Sequence, residues 1–339
     1  MISVSARTLF FGICVLCLGI SVPACGGNSG SQPSGDHVKA VVLPYLTMVP
    51  FHIAAEEGFF AEQGLDVEFV RLARNQEIMT SLARGEVDVA GGLLTLSELR
   101  LAEGGERVRM VAALGHMPPD YCTFMAFVAR REHLDSGALE DPERLRGMRF
   151  DASVILPFGY WVDELLRPLD MTIDDIDLVD LPSMAGLPAI IDGSIDVTIE
   201  SEPYLSELLE SEEVAVWEDV GRILPNFALS MVMYGPSMLD ERSDVGERFA
   251  IAILQALRQY RLGKTPRNLE IVGRGTGLSR ERLAAACWPA MRADGRIDTA
   301  SVRSYQEWNV SRGLLGRVLA DDELFDHRFV DHANRVLGH

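Results

Sequence analysis

No segment of the chain is long and apolar enough to cross a bilayer as a helix, which takes about 20 consecutive apolar residues. The uncharged run at residues 9–20 (LFFGICVLCLGI) falls short of that length, and no other segment reaches it. Clusters of lysine and arginine are also missing. Basic residues number 31 against 50 acidic ones, for a formal net charge of −19. So acidic a chain argues against nucleic acid or an anionic surface as partner, while leaving the charge of any pocket open. Cysteine is scarce, at five in 339 residues. Signatures of chemistry are absent too. There is no Gly-x-Ser-x-Gly elbow for a nucleophilic serine. Residues 273–277 (GRGTG) lack the Gly-Lys-Ser/Thr ending of a phosphate loop and read as a turn between helices. Residues 174–177 (DDID) lack the spacing of a calcium loop and read as a solvated turn before a strand. His327 and His332 are five apart, not the three or four that face one metal on a helix. No catalytic residue, metal or cofactor is expected.

The N-terminus carries the first positive signal. The apolar run, preceded only by Arg7, reads as the core of a secretory leader over residues 1–24. Val22-Pro23-Ala24-Cys25 then resembles the bacterial lipobox, in which the cysteine is acylated and becomes the new N-terminus. Residues 25–36 (CGGNSGSQPSGD) are Gly/Ser/Pro/Asn-rich and read as a flexible tether. The expectation is an extracytoplasmic body anchored to a membrane through lipid on Cys25. Cys14 and Cys17 leave with the leader, so only Cys122 and Cys287 remain in the body. They form either one disulfide or two buried thiols.

From residue 38 onward, short β-rich runs alternate with helical stretches. Strands are expected at 38–42, 65–70, 87–90 and 108–114, with helices at 50–63, 75–84 and 95–103 between them. A second series repeats the plan, with strands at 149–152, 176–181 and 195–199 and helices at 157–169, 184–191 and 203–210. Two apolar segments, 123–129 (TFMAFVA) and 227–234 (FALSMVMY), read as connectors that leave the first unit and return to it. Everything after residue 236 reads as helical. Strand–helix–strand alternation means mostly parallel sheets with covered faces. The expected fold is therefore α/β, with two lobes. One comprises residues 37–122 plus 235–339 and the other residues 123–234, each a mostly parallel sheet flanked by helices, joined by two crossover strands.

Several phrases in order then resemble one family. Pro50-Phe51-His52-Ile53-Ala54 is followed by Glu57-Gly58-Phe59-Phe60-Ala61-Glu62-Gln63-Gly64-Leu65-Asp66-Val67, and then by Leu82-Ala83-Arg84-Gly85-Glu86-Val87-Asp88-Val89. Leu145-Arg146-Gly147-Met148-Arg149-Phe150 opens the second lobe. Ile191-Asp192-Gly193-Ser194-Ile195-Asp196-Val197 repeats the apolar-small-x-Gly-x-x-Asp phrase before Glu202-Pro203-Tyr204. Together they resemble the solute-binding proteins for nitrate, sulfonates, taurine and thiamine-precursor pyrimidines, which have the type II periplasmic-binding-protein fold. The resemblance implies a monomer that closes on a small molecule between its lobes and delivers it to an ABC permease. Rival readings are an enzyme on the same fold, of the menaquinone-pathway or yeast pyrimidine-synthase kind, and a lipoprotein that senses its ligand and signals to a partner.

Ligands of open parallel sheets bind beyond the carboxyl ends of strands. In the first lobe that rule selects Tyr45, Thr47 and Phe51, then Gly92, Leu93 and Thr95, then His116. In the second it selects Ser153, Phe158 and Tyr160, then Glu200 and Glu202, with Asn226 at the return. Around Ser153-Val154-Ile155-Leu156-Pro157-Phe158, Pro157 removes a backbone donor and apolar groups crowd the rest, a poor cradle for an anion. Glu200, Glu202 and Asp120 would repel one. Aromatic faces with carboxylates suit a flat neutral or amino-bearing ring such as an aminopyrimidine. Glu202 has a second reading, as a cap for the helix beginning near Pro203.

Overall fold

The computed structural model describes residues 35–338 except Ala73, Ser183 and Met184. The expected leader, the lipidation site Cys25 and all but the end of the tether lie outside them.

Two five-stranded sheets carry the fold. The first holds β1 (Asp36–Val41), β2 (Leu65–Val70), β3 (Val89–Leu93), β4 (Arg109–His116) and β10 (Ala228–Tyr234), in the order β2-β1-β3-β10-β4. The second holds β5 (Met125–Arg130), β6 (Arg149–Asp151), β7 (Asp177–Val179), β8 (Val197–Ser201) and β9 (Val214–Asp219), in the order β7-β6-β8-β5-β9. The two orders follow one plan. Two parallel pairings in each sheet are followed by a strand antiparallel to both its neighbours. Those antiparallel strands, β5 and β10, are the two expected connectors. Each enters its sheet just after the chain has crossed over from the other one.

The repeated Gly-x-x-Asp phrase has a structural cause. Gly85 and Gly193 end helices at φ +69° and +80°, a conformation that glycine adopts without strain. Three residues later an aspartate ties down the neighbouring strand. Asp88 accepts from the Lys39 backbone N–H at 2.9 Å, and Asp196 accepts from the Arg149 N–H at 2.8 Å. In both lobes the carboxylate takes a backbone donor that the parallel ladder leaves unpaired.

Helices cover the sheets: α1 (Val49–Glu56), α2 (Asn75–Ala83), α3 (Leu96–Glu103), α4 (Phe158–Leu166), α5 (Gly186–Asp192), α6 (Tyr204–Leu208), α7 (Ser243–Tyr260), α8 (Pro266–Thr276), α9 (Arg280–Ala285), α10 (Thr299–Ser311) and α11 (Arg328–Leu337). One apolar core runs through both lobes, and a smaller cluster around Val128, Ile190 and Leu205 lies under the second sheet.

Four readings need correction, the first being the C-terminal stretch, where residues 286–298 run without a helix between α9 and α10. The helix expected over 50–63 breaks at Gly58, which takes φ +79° and starts a separate turn at Phe59. Residues 273–276 are the end of α8 rather than a turn, and only Gly277 (φ +76°) stops the helix. Gly275 is there because a Cβ would sit 2.5 Å from the His52 ring. Strand β9 went unread, because its VAVWED alternation lies among acidic residues and half-exposed positions. The open cysteine question resolves as a disulfide. Cys122, on the way to β5, is bonded to Cys287, with the two Cα atoms 5.8 Å apart.

Candidate ligand-binding cleft

The carboxyl ends of β1, β3, β6, β7 and β8 converge on a cavity of about 400 Å³ between the lobes. The first lobe contributes small and polar groups held in place by their own neighbours. Thr47 is buried, and the Ser230 hydroxyl donates to its Oγ1 at 3.1 Å. Thr95 caps α3 by accepting from Ser97 N at 3.1 Å, while Glu98 reaches back to accept from Thr95 N at 2.8 Å. Asn75 Nδ2 donates to Thr95 Oγ1 at 3.2 Å, which fixes this wall further.

The second lobe contributes carboxylates. Asp151, at the end of β6, accepts from the Leu181 N–H at 3.2 Å and the Thr198 hydroxyl at 3.3 Å. Asp180, after β7, accepts from the Ser153 hydroxyl at 3.1 Å. Burial pushes the Glu200 carboxyl up to about 7, and the nearby Asp151 charge adds to the effect. Burial raises Asp151 as well, with Asp180 as the adjacent charge. Glu202 is committed elsewhere. Its Oε1 accepts from the Ser206 hydroxyl at 2.7 Å and from Cys287 N at 3.3 Å, and its Oε2 accepts from Ser206 N at 3.3 Å. Among the described residues, the lining carries these four acids and no lysine, arginine or histidine.

Tyr45, Thr47, Gly92, Leu93, Ser153, Phe158, Glu200 and Glu202 border this cavity, and so does Thr95. Phe51, His116, Tyr160 and Asn226 do not. Phe51 is fully buried on the inner face of α1, so close under β3 that a Cβ on Gly91 would lie 2.8 Å from its ring. His116 ends β4, which the inserted β10 separates from β3. It faces another groove beside Tyr260 and Trp288. Tyr160 points into the junction between the lobes, its ring 5.7 Å from that of Tyr305 and 6.1 Å from that of Phe227. Asn226 sits exposed in a left-handed turn at φ +62°, its N–H donating to Met117 O. Asp120 is exposed in the loop before the first connector and does not border the cleft.

Sequence reasoning missed Asp151, Asp180, Tyr204, Thr276 and Leu278, all of which line the cavity. The strand-end rule, applied to β6 and β7, would have found the two aspartates. Nothing local marks Thr276 and Leu278, which come from the C-terminal helices.

Two sheets of like order, with strand ends facing a shared cleft, define the fold of the two-lobed periplasmic binding proteins. The chain belongs to the NMT1/THI5-like family, whose sequence profile matches residues 46–261. No curated protein matches its sequence. Its structure is similar to the ligand-binding component of an ABC-type import system from Staphylococcus aureus, with a TM-score of 0.70 at 14% identity, covering 88% of this chain and 99% of that one. The periplasmic aliphatic sulphonate binding protein SsuA from Escherichia coli gives a TM-score of 0.66 at 12% identity, covering 87% and 93%. The desulfurization enzyme DSZB shares the fold too, with a TM-score of 0.64 at 15% identity, covering 89% and 99%.

Proposed function

We propose that the chain is a monomeric, extracytoplasmic solute-binding protein that delivers a small amino-bearing ring, such as an aminopyrimidine, to an ABC permease. The family supports the class, and the sign of the cleft supports the ligand. Among the described residues, acids and no cation line the cavity, and Glu200 is the one whose oxygens are least committed to neighbours. At about 4 Å a pair of like charges near a protein surface repels by roughly 4 kcal/mol. A sulfonate or nitrate held here would meet that repulsion with no arginine or lysine to offset it. Amino N–H groups instead gain charge-assisted hydrogen bonds to carboxylates. The rings of Tyr45, Phe158 and Tyr204 offer faces for a flat ligand.

The rival enzyme reading finds less support in this lining. The described residues around the cavity include no cysteine or histidine to act as nucleophile, although Glu200, pushed up to about 7, could serve as a base.

Thermal unfolding of the full chain against 4-aminopyrimidine, taurine, an alkanesulfonate and nitrate tests the ligand. Saturation at 100 times Kd stabilises by about 2.7 kcal/mol. The midpoint is expected to rise with the aminopyrimidine and not with the alkanesulfonate or nitrate; a rise with only the sulfonates or nitrate overturns this reading. Anchoring through Cys25 belongs to the same proposal. Cys25→Ser should move the protein from the membrane fraction to the soluble one, and a variant that still sediments with membranes removes the anchor.

A further inference from the structure

The family profile ends at residue 261, yet the chain beyond it reaches back to the second lobe in four places. Arg282, on α9, pairs with Glu207 on α6. The Cys287 N–H donates to Glu202 after β8 at 3.3 Å. Trp308 Nε1, on α10, donates to Asp163 Oδ2 on α4 at 2.8 Å. Arg312, at the end of α10, grips both oxygens of Asp174 before β7, at 2.8 and 2.5 Å. Every one of these partners lies in the second lobe. The contact is also packed. Trp308 is 7% exposed and stands 5.9 Å, ring to ring, from Tyr160, and a Cβ on Gly159 would lie 3.3 Å from its indole. Asp163 additionally accepts from Ile173 N at 2.9 Å, so Trp308 is tied to a carboxylate fixed inside the second lobe.

We infer that residues 280–312 are an interlobe strap, which holds the cleft near its closed width before any ligand arrives, with Trp308, Arg312 and Arg282 as positioning residues. None of the three borders the cleft. They act through α4 and α6, whose ends carry the cleft residues Phe158 and Tyr204. The crossover strands alone would leave the lobes free to swing. A strap fixed to one lobe and bonded at four points to the other lowers the open population. A ligand then loses less affinity to the fraction of molecules that cannot bind it.

A backbone contact across the cleft reports on closure independently of the strap. The Leu96 N–H at the start of α3 donates to Ile155 O in the second lobe at 3.0 Å. Amide exchange of the full-length, ligand-free protein is compared with that of two variants. Asp174→Ala with Glu207→Ala removes two partners that are 69% and 50% exposed, so neither change disturbs the interior. Adding Trp308→Phe keeps a ring in place but removes the donor to Asp163. The double variant should speed Leu96 exchange severalfold. The triple variant should speed it on the order of tenfold to a hundredfold, given what exposed ion pairs and charged hydrogen bonds contribute. Amides in the centres of β1 and β8 should keep their rates. Unchanged exchange at Leu96 in both variants overturns the strap. A uniform rise across both sheets overturns it as well, because the segment then supports only global stability.

Discussion

The Glu200 carboxyl costs the fold stability when it is charged. Its pKa rises from the model-peptide value of 4.5 to about 7 because folding removes it from water. A carboxyl raised on folding binds its proton more tightly in the native state, so stability falls as pH climbs from about 4.5 to about 7 and stays lower above that. Glu200→Gln removes the charge and should stabilise the ligand-free protein at pH 8, by on the order of 3 kcal/mol from the size of that shift. At pH 4 it should change nothing. Urea midpoints at the two pH values check this, and an equal effect at both would show that Glu200 is not a strained, buried charge. The strand-end rule brings Glu200 and Ser153 to the border of the cavity because β8 and β6 are recognisable strands, and their place in a ligand site stays a proposal. It fails for Phe51 and Tyr160 because helical position alone does not say which face turns to the cleft and which to the core.

Among the elements, legibility followed local punctuation. Strand β2 is readable to the residue, since LDVEFV alternates and Gly64 marks its start. Helix α3 is equally plain, with Thr95 and Glu98 three apart forming its capping box. The broken first helix depends instead on the left-handed backbone of Gly58, and the length of α8 on tertiary fit around Gly275. Gly235, after β10, is a further case, where a Cβ would lie 2.4 Å from the Leu82 carbonyl oxygen. Backbone cannot yield as a side chain does, so Gly235→Ala should destabilise by about 1–3 kcal/mol in a urea titration. An unchanged midpoint would mean that the turn relaxes freely. The disulfide is an element-scale tie that sequence left open. It joins residues 165 apart, and in the chain-entropy picture closing so long a loop contributes about 5 kcal/mol at most. Replacing Cys122 and Cys287 with serine should lower the melting midpoint clearly while leaving the far-ultraviolet circular dichroism unchanged at low temperature. An unmoved midpoint would contradict a structural role for the pair.

At the scale of the whole molecule, the alternation of elements and five ordered phrases made the two-lobed fold legible from sequence. The contribution of the C-terminal helices was not, because their links to the second lobe run between residues more than 70 positions apart, such as Arg282 with Glu207 and Trp308 with Asp163. The net charge of −19 does not decide the ligand, but the placement of four acids in one cleft with no cation among the described lining residues bears on it directly. The most direct test is calorimetric titration at pH 8, where Glu200 is ionised, of the intact chain and its Glu200→Gln variant with 4-aminopyrimidine and with ethanesulfonate. The account predicts heat of binding for the aminopyrimidine, at least about tenfold weaker affinity in the variant, as expected when a charged hydrogen bond is lost, and no binding of ethanesulfonate to either. Saturable binding of ethanesulfonate, or equal affinity of the aminopyrimidine for both proteins, would contradict it.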